Sequence, residues 1–380
     1  MRIDNKSKQE CCGCGACVTA CRYNAISMTV DNLGFLYPRI NIDKCVDCGL
    51  CGKVCQFSPD YKKNKELDTP FVYALRTKDE NRLNRSQSGG AFSEIATYII
   101  SHKGVVYGAA FETPSVVKHI RIESKKDLQL LQGSKYVQSD IRGIYDLVIV
   151  DLKAGRKVLF SGTACQVSGL RAIVPSKLID NLFLVDIICH GVPSPRIWSD
   201  YIAYLEKKMH STVITSNFRD KRYGWNNAQE SYIFDNGKEC ISHRYLDLYF
   251  GHYISRDCCK CCPYTNTDRV GDLTIGDFWG WYKHHTEFDD NKGISLVLVN
   301  NNKGVAIMNA IKDDVTLIQS NIKECLQPKL QHPTEENPNK EEFLKYYEKK
   351  GFSFVLHRYT AEGWRLKLKL FIAKLIRYKR

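Results

Sequence analysis

The sequence predicts an α+β unit at the N-terminus followed by an α/β unit with a mixed sheet. Three observations predict this. Eight cysteines between Cys11 and Cys55 fall into two runs of identical spacing, C-x2-C-x2-C-x3-C, with a short apolar alternation between them. After a polar linker, apolar strand-like runs alternate with helix-like runs, the order of strand–helix–strand crossovers. Two of those strand ends carry single cysteines, Cys165 and Cys189. The expected boundaries are residues 1–57 for the cysteine-rich unit, 58–70 for the linker, 71–330 for the α/β unit and 331–380 for a basic helical extension.

The two runs are Cys11, Cys14, Cys17, Cys21 and Cys45, Cys48, Cys51, Cys55. Their spacing is that of bacterial ferredoxins, in which three close thiolates hold one 4Fe-4S cluster and the fourth reaches across to the other. The expected sets are therefore crossed: Cys11, Cys14, Cys17 with Cys55, and Cys45, Cys48, Cys51 with Cys21. Zinc is the competing reading, but it favours separated C-x2-C pairs, and each run here has four cysteines. The ferredoxin run ends in Pro, whereas Arg22 and Gln56 stand there, a change expected to alter a turn and not the ligation. Ala25–Val30 and Phe35–Tyr37 around Asp31-Asn32-Leu33-Gly34 read as a hairpin. Glycines at 13, 15, 49 and 52 suit backbone bent tightly around a cluster. The unit resembles the two-fold ferredoxin-like fold.

At 380 residues and 43% hydrophobic content the chain can bury ordinary globular cores. Met1–Glu10 is polar and lacks the apolar core of a signal peptide, and no run approaches the length of a membrane span, so a cytoplasmic protein is expected. Seventeen cysteines in that compartment mean metal and not crosslinks. A net charge of +13 would ordinarily suggest nucleic acid, yet no nucleic-acid motif accompanies it. Nucleic acid is set aside.

The linker SPDYKKNKELDTP, Ser58–Pro70, is charged and bounded by prolines. Phe71–Leu75 then reads as a strand, Ser88-Gly89-Gly90 as a turn opening a helix over Ala91–Ser101, and Val105–Phe111 as the next strand. Free N–H groups at such a helix start suit a phosphate, although an N-cap with close packing explains the same residues. Arg156–Phe160 is a strand leading through Ser161-Gly162-Thr163-Ala164-Cys165 into a helix from Gln166. Asn181–Ile188 is a second strand, ending in Cys189-His190-Gly191-Val192-Pro193 before a helix from about Pro195. The separation of Cys165 and Cys189 matches one crossover, which would make them neighbours at the carboxyl edge of a parallel pair.

Cys258-Cys259-Lys260-Cys261-Cys262-Pro263 offers a further C-x2-C pair, Cys259 and Cys262. Together with Cys165 and Cys189 they would complete four thiolates for a third cluster. Zinc on the same four ligands is the alternative. Cys12, Cys240, Cys258, Cys261 and Cys325 have no assigned role.

The ordered series SQSGGAFSEIA, LQGSKYVQSD, LFSGTACQVSGL, DIICHGVPSPRIW, FRDKRYGW and CCPYTNTDRVGDLTIGDFWG, behind the cysteine doublet, resembles the coenzyme F420 hydrogenase/dehydrogenase beta-subunit family over about residues 5 to 310. The resemblance implies an iron–sulfur flavoprotein with a flavin-binding α/β domain. FAD would lie near Ser88, Gly89, Gly90 and Lys135, with Thr163, Cys165 and His190 facing the same crevice. Three clusters and a flavin pyrophosphate would bring the charge to roughly +5. Lys135 would pair with FAD phosphates or polarise a flavin carbonyl, and is otherwise a solvated lysine. His190 is a proton donor or a turn histidine. Arg219, Asp220, Lys221 and Trp225 contact an anionic substrate or form a solvated loop.

Two functions remain open at this point. The favoured one, because relay and flavin module lie on one chain, is an enzyme taking electrons from a ferredoxin-type donor to FAD and an organic substrate, a role that stand-alone relatives associate with surface polysaccharide synthesis. The other is an electron-transfer subunit serving a partner oxidoreductase or the deazaflavin coenzyme. The stretch from Ala361 to Arg380 is basic with one apolar arc, and fits either a helix docked on the protein or a peripheral membrane contact.

Overall fold

A computed structural model describes residues 3, 6–59, 61 and 67–361. In the N-terminal unit, Gly15 (φ 76°) and Gly49 (φ 71°) stand immediately before two short helices, Ala16–Ala20 and Leu50–Lys53. A left-handed residue without Cβ folds each cysteine run back on itself at little steric cost. Between the helices, β1 (Ile26–Val30) pairs antiparallel with β2 (Leu36–Ile40), from Ile26 opposite Ile40 to Val30 opposite Leu36. The Asp31 carboxylate closes their turn by accepting the N–H groups of Leu33 (3.0 Å) and Phe35 (2.9 Å).

The second unit is built on an eight-stranded mixed sheet. Its strands are β3 (Phe71–Thr77), β4 (Val105–Thr113), β5 (Val116–Ile122), β6 (Val158–Thr163), β7 (Leu182–Ile187) and, after an excursion, β11 (Leu273–Asp277), β12 (Ser295–Val299) and β13 (Val315–Ser320). The excursion is a separate three-stranded sheet of β8 (Val213–Asn217), β9 (Glu230–Phe234) and β10 (Glu239–Ser242). The large sheet runs β13-β3-β12-β11-β7-β6-β4-β5, and its four consecutive strands β11, β7, β6 and β4 are parallel. Their period-two alternation fills both faces: Val106, Leu159 and Val185 face the helices Ala91–Ser101 and Asn302–Ile311, while Tyr107, Phe160 and Leu184 face Ile144–Lys153 and Ala164–Arg171.

A third core gathers Trp198, Tyr201, Phe218, Tyr232 and Tyr245 with Phe343, Phe352, Val355 and Leu356. The last four come from helices Lys340–Lys350 and Phe352–Tyr359. This part of the expected extension is therefore packed into the second unit. Beyond Ala361, the expected basic helix lies outside the described residues. Among the described residues no helix is long and apolar enough to cross a membrane.

Arg256 fastens the two units together. Its side chain is 1% exposed and donates to the carbonyls of Cys11 and Leu36, both at 2.8 Å, and to Gln138 Oε1 at 3.0 Å. The guanidinium also lies 4.1 Å from the centre of the Tyr37 ring, a contact strengthened by desolvation.

Candidate iron–sulfur centres and cleft

Burial raises the Cys17 thiol, and the nearby Cys14, Cys11 and Cys55 raise it further. Burial likewise dominates at Cys55, which also senses Cys14 and Cys11. The expected first set, Cys11, Cys14, Cys17 and Cys55, is thus one neighbourhood of mutually repelling thiolates, which favours a cation-rich group at its centre. Arg256 Nη2 approaches Cys11 Sγ at 3.7 Å and supplies positive charge there. For the second set, Cys21 and Cys51 pack on the small apolar core of Ile3, Cys17 and Ile26, and Ala25 N donates to Cys21 Sγ at 3.4 Å. Cys48 is exposed. The second set therefore faces outward, and the first faces the α/β unit.

There, β6 and β7 are adjacent and parallel, with Thr163 opposite Ile187. The register places Cys165 and Cys189 just past neighbouring carboxyl ends, as their spacing implies. Burial raises Cys189, followed by the charges of Cys259, Cys165 and Cys262. The C-x2-C pair thus faces the two strand ends, and the four expected residues of the third set meet. Backbone donors point at them: Gly191 N to Cys189 Sγ at 3.3 Å and Val192 N to Cys259 Sγ at 3.4 Å. Thr163 Oγ1 lies 3.1 Å from Cys165 Sγ, which places Thr163 at this thiol site. The buried Lys329 ammonium faces Cys189, Cys262 and Cys259, although desolvation lowers its pKa overall.

The thiols, N–H donors and buried cations fit an anionic cluster cage. Among the described residues, no three His, Cys, Asp or Glu side chains converge closely enough to hold a single metal ion.

The first and third sets touch through two residues the sequence left without a role at these sites. Cys12, 5% exposed, lies within hydrogen-bond reach of Cys14 and Cys165, and these contacts together with burial raise its thiol pKa. Gln56 Nε2 lies 3.2 Å from Cys12 Sγ and 3.6 Å from Cys14 Sγ, and donates to Cys165 O at 2.8 Å. The Cys11-Cys12 doublet and the missing Pro at 56 were the available sequence signals.

A cleft of about 490 Å³ opens between the segments 84–87, 111–114, 129–135, 214–217 and 219–222. Lys135 is in its wall, half-buried, donating to Leu130 O at 3.1 Å and Gln132 O at 2.7 Å. Desolvation lowers its pKa to about 7. Arg219, Lys221 and Arg222 line the opposite side. Arg219 pairs with Asp277, which also accepts Trp225 Nε1 at 2.8 Å, and Trp225 stacks on Trp279 at 4.7 Å.

Ser88, Gly89 and Gly90 are set back from this wall. Ser88 Oγ donates to Ile294 O at 2.6 Å, and a Cβ on Gly89 would meet Leu75 O at 2.1 Å. Ala91 N donates to Ser295 Oγ at 3.4 Å. The turn is thus packed between β3 and β12, and its neighbours Ser86 and Gln87 reach the cleft instead. His190 lies between the third set and the Arg219–Asp277 pair; burial and Lys329 lower it to about 4. A second connection runs from Cys189 through Gly191, whose carbonyl accepts Tyr249 OH at 3.1 Å, to Tyr136, whose ring is 4.9 Å from that of Tyr249. Ser134 and Lys135, beside Tyr136, line the cleft.

Residues 155–324 match the family described as the C terminus of the coenzyme F420 hydrogenase/dehydrogenase beta subunit, and residues 10–58 match the 4Fe-4S dicluster domain. No curated protein matches the chain. Among solved structures, a chain of the xenon-derivatised F420-reducing NiFe hydrogenase complex from Methanosarcina barkeri is 16% identical with a TM-score of 0.47, over 77% of this chain and 92% of that one. The two family matches fall on the two cysteine-bearing units: the chain carries the C-terminal domain of the coenzyme F420 hydrogenase/dehydrogenase beta-subunit family behind an N-terminal 4Fe-4S dicluster domain.

Proposed function

We propose that the chain is an electron-transfer iron–sulfur flavoprotein that connects a redox partner at its outer face with a flavin, FAD, in the cleft, and serves a partner oxidoreductase. The observation that carries this reading is the apposition of Cys14 and Cys165 through Cys12 and Gln56. It supports a relay in the order second set, first set, third set and cleft.

When bound, the clusters would supply one-electron carriage and the flavin conversion between one- and two-electron chemistry. Cys11, Cys14, Cys17 and Cys55 would hold the first cluster, Cys45, Cys48, Cys51 and Cys21 the second, and Cys165, Cys189, Cys259 and Cys262 the third. Gly191 and Val192 donate to the third-set sulfurs, and Lys329 offsets their charge. Tyr136 and Tyr249 fill the space between that set and the cleft and exclude water from it. Lys135, Arg219 and Lys221 would bind the anionic part of the cofactor. His190, neutral at pH 7, would donate or accept one proton on the same side.

A second reading is favoured by the size and openness of the cleft: an enzyme that also admits an organic substrate over the flavin and takes electrons from a ferredoxin-type donor in the cytoplasm. Anaerobic purification with iron, sulfide and flavin analysis tests both. About twelve irons and one FAD per chain are expected, and a chain without flavin removes both. Reduction of the loaded protein by reduced ferredoxin, followed by offers of the deazaflavin coenzyme and of candidate substrates, separates them. Turnover of an organic substrate without a partner protein establishes the enzyme.

A further inference from the structure

Gln56 follows Cys55, at the position where the ferredoxin run has Pro. The side chain is 7% exposed and its two ends are treated very differently. Nε2 meets three acceptors, Cys12 Sγ, Cys14 Sγ and Cys165 O, while Oε1 is buried with no partner. Turning the amide over would set the oxygen against the Cys14 sulfur and the Cys165 carbonyl, both acceptors. The orientation is therefore fixed by its donor end. Leaving a buried amide oxygen without a donor is unfavourable, a penalty that a purely structural residue such as Leu or the usual Pro would not incur.

We infer that Gln56 is a positioning residue for electron transfer, which raises the reduction potential of the first four-cysteine centre through Cys14 and ties that centre to the third through Cys165. This inference rests on the proposed ligand sets. An N–H donor to a cluster thiolate stabilises the more negative, reduced form and so raises the potential. The same amide holds Cys165, and with it the helix Ala164–Arg171, against the first centre. A Pro at 56 has no donor and could do neither.

The test is an anaerobic redox titration of the wild-type, Gln56→Leu and Gln56→Glu proteins, following each cluster by electron paramagnetic resonance alongside iron content. Gln56→Leu should lower the first-centre potential by roughly 59 mV, the tenfold change in a one-electron equilibrium expected for one lost bond to an anionic sulfur. Gln56→Glu adds negative charge and should lower it further. Full iron content with an unchanged first-centre potential in either variant overturns the inference while leaving the ligand sets intact. Wild-type protein without iron–sulfur centres overturns the ligand sets instead. Wild-type protein carrying side-chain 15N-labelled glutamine answers without a variant: a 15N coupling to the reduced first centre is expected, and its absence overturns the inference.

Discussion

Gly169 lies so close to Cys14 that a Cβ at position 169 would meet the Cys14 sulfur at 2.9 Å and its Cβ at 3.0 Å. The helix carrying Cys165 therefore presses directly on the loop carrying Cys14. Gly169→Ala would improve helix propensity but force the two units apart, and overpacking of this kind costs about 1–3 kcal/mol. The expected outcome is a lower denaturation midpoint and reduced retention of iron after gel filtration. A variant as stable as wild type with the same iron content would show that the loop yields without consequence.

Arg256 makes a second prediction about the same junction. Arg256→Met removes the donors to Cys11 O, Leu36 O and Gln138 Oε1, leaving buried acceptors unmatched at a cost of roughly 2–4 kcal/mol. Arg256→Lys keeps the charge but loses the fork that reaches three acceptors at once. Both variants should be cut faster than wild type by protease in the linker around residues 58–70, with Met the more sensitive. Equal cleavage rates in all three proteins would mean that Arg256 does not fasten the units.

The difference between these junction residues and the cysteines explains what the sequence could reveal. Cysteine spacing is local, so both runs and the C-x2-C of Cys259 and Cys262 were legible. So was the β6–β7 crossover, because apolar runs ending in Cys165 and Cys189 leave a periodic trace. Arg256 reaches Cys11 across the chain, and Gln56 reaches Cys165 in the other unit; neither contact has a period or a motif. The same holds for the cleft, whose walls come from five separate segments. Reading Ser88-Gly89-Gly90 as a phosphate turn rested on local chemistry, while its close packing between β3 and β12 follows from long-range pairing. Gln56, read as a changed turn, is instead a contact between two thiol sites.

Lys135 predicts a pH dependence of stability and an opposite one of binding. Desolvation lowers its folded-state pKa from 10.5 to about 7. Below pH 7 the folded and unfolded chains are both protonated here, and the folded one carries the full desolvation cost. Between pH 7 and 10.5 the unfolded chain binds a proton that the folded chain does not, so this residue's contribution to stability rises with pH across that window. Lys135→Met should flatten the rise and add about 1–2 kcal/mol at pH 7 to the flavin-free protein, well under the roughly 5 kcal/mol that the change from 10.5 to about 7 would give unscreened. Flavin affinity in wild type should fall as pH rises above about 7, since the cation that would meet its phosphates is lost. Urea midpoints and flavin titrations at pH 6 and 9 measure both, and identical pH profiles in wild type and Lys135→Met would dissociate Lys135 from the cleft's chemistry.

Cys12 and Cys189 are both buried against other thiols, yet the surroundings assign them different work. Cys12 stands between Cys14 and Cys165 and accepts the Gln56 amide, the surroundings of a thiol that bridges two sites without belonging to either expected ligand set. Cys189 receives a backbone N–H from Gly191, faces Cys259, Cys165 and Cys262, and has Lys329 nearby, the surroundings of a sulfur that is charged in use. Cys12→Ala should therefore keep about twelve irons per chain, whereas Cys189→Ser should lose about four or bind its third cluster weakly. In Cys189→Ser the eight N-terminal cysteines should still accept electrons from a chemical reductant, while flavin reduction slows sharply. Iron analysis with rapid-mixing absorbance on both variants measures this. Iron loss in Cys12→Ala with full iron and normal flavin reduction in Cys189→Ser would reverse the two assignments and place the third centre on a different set of sulfurs.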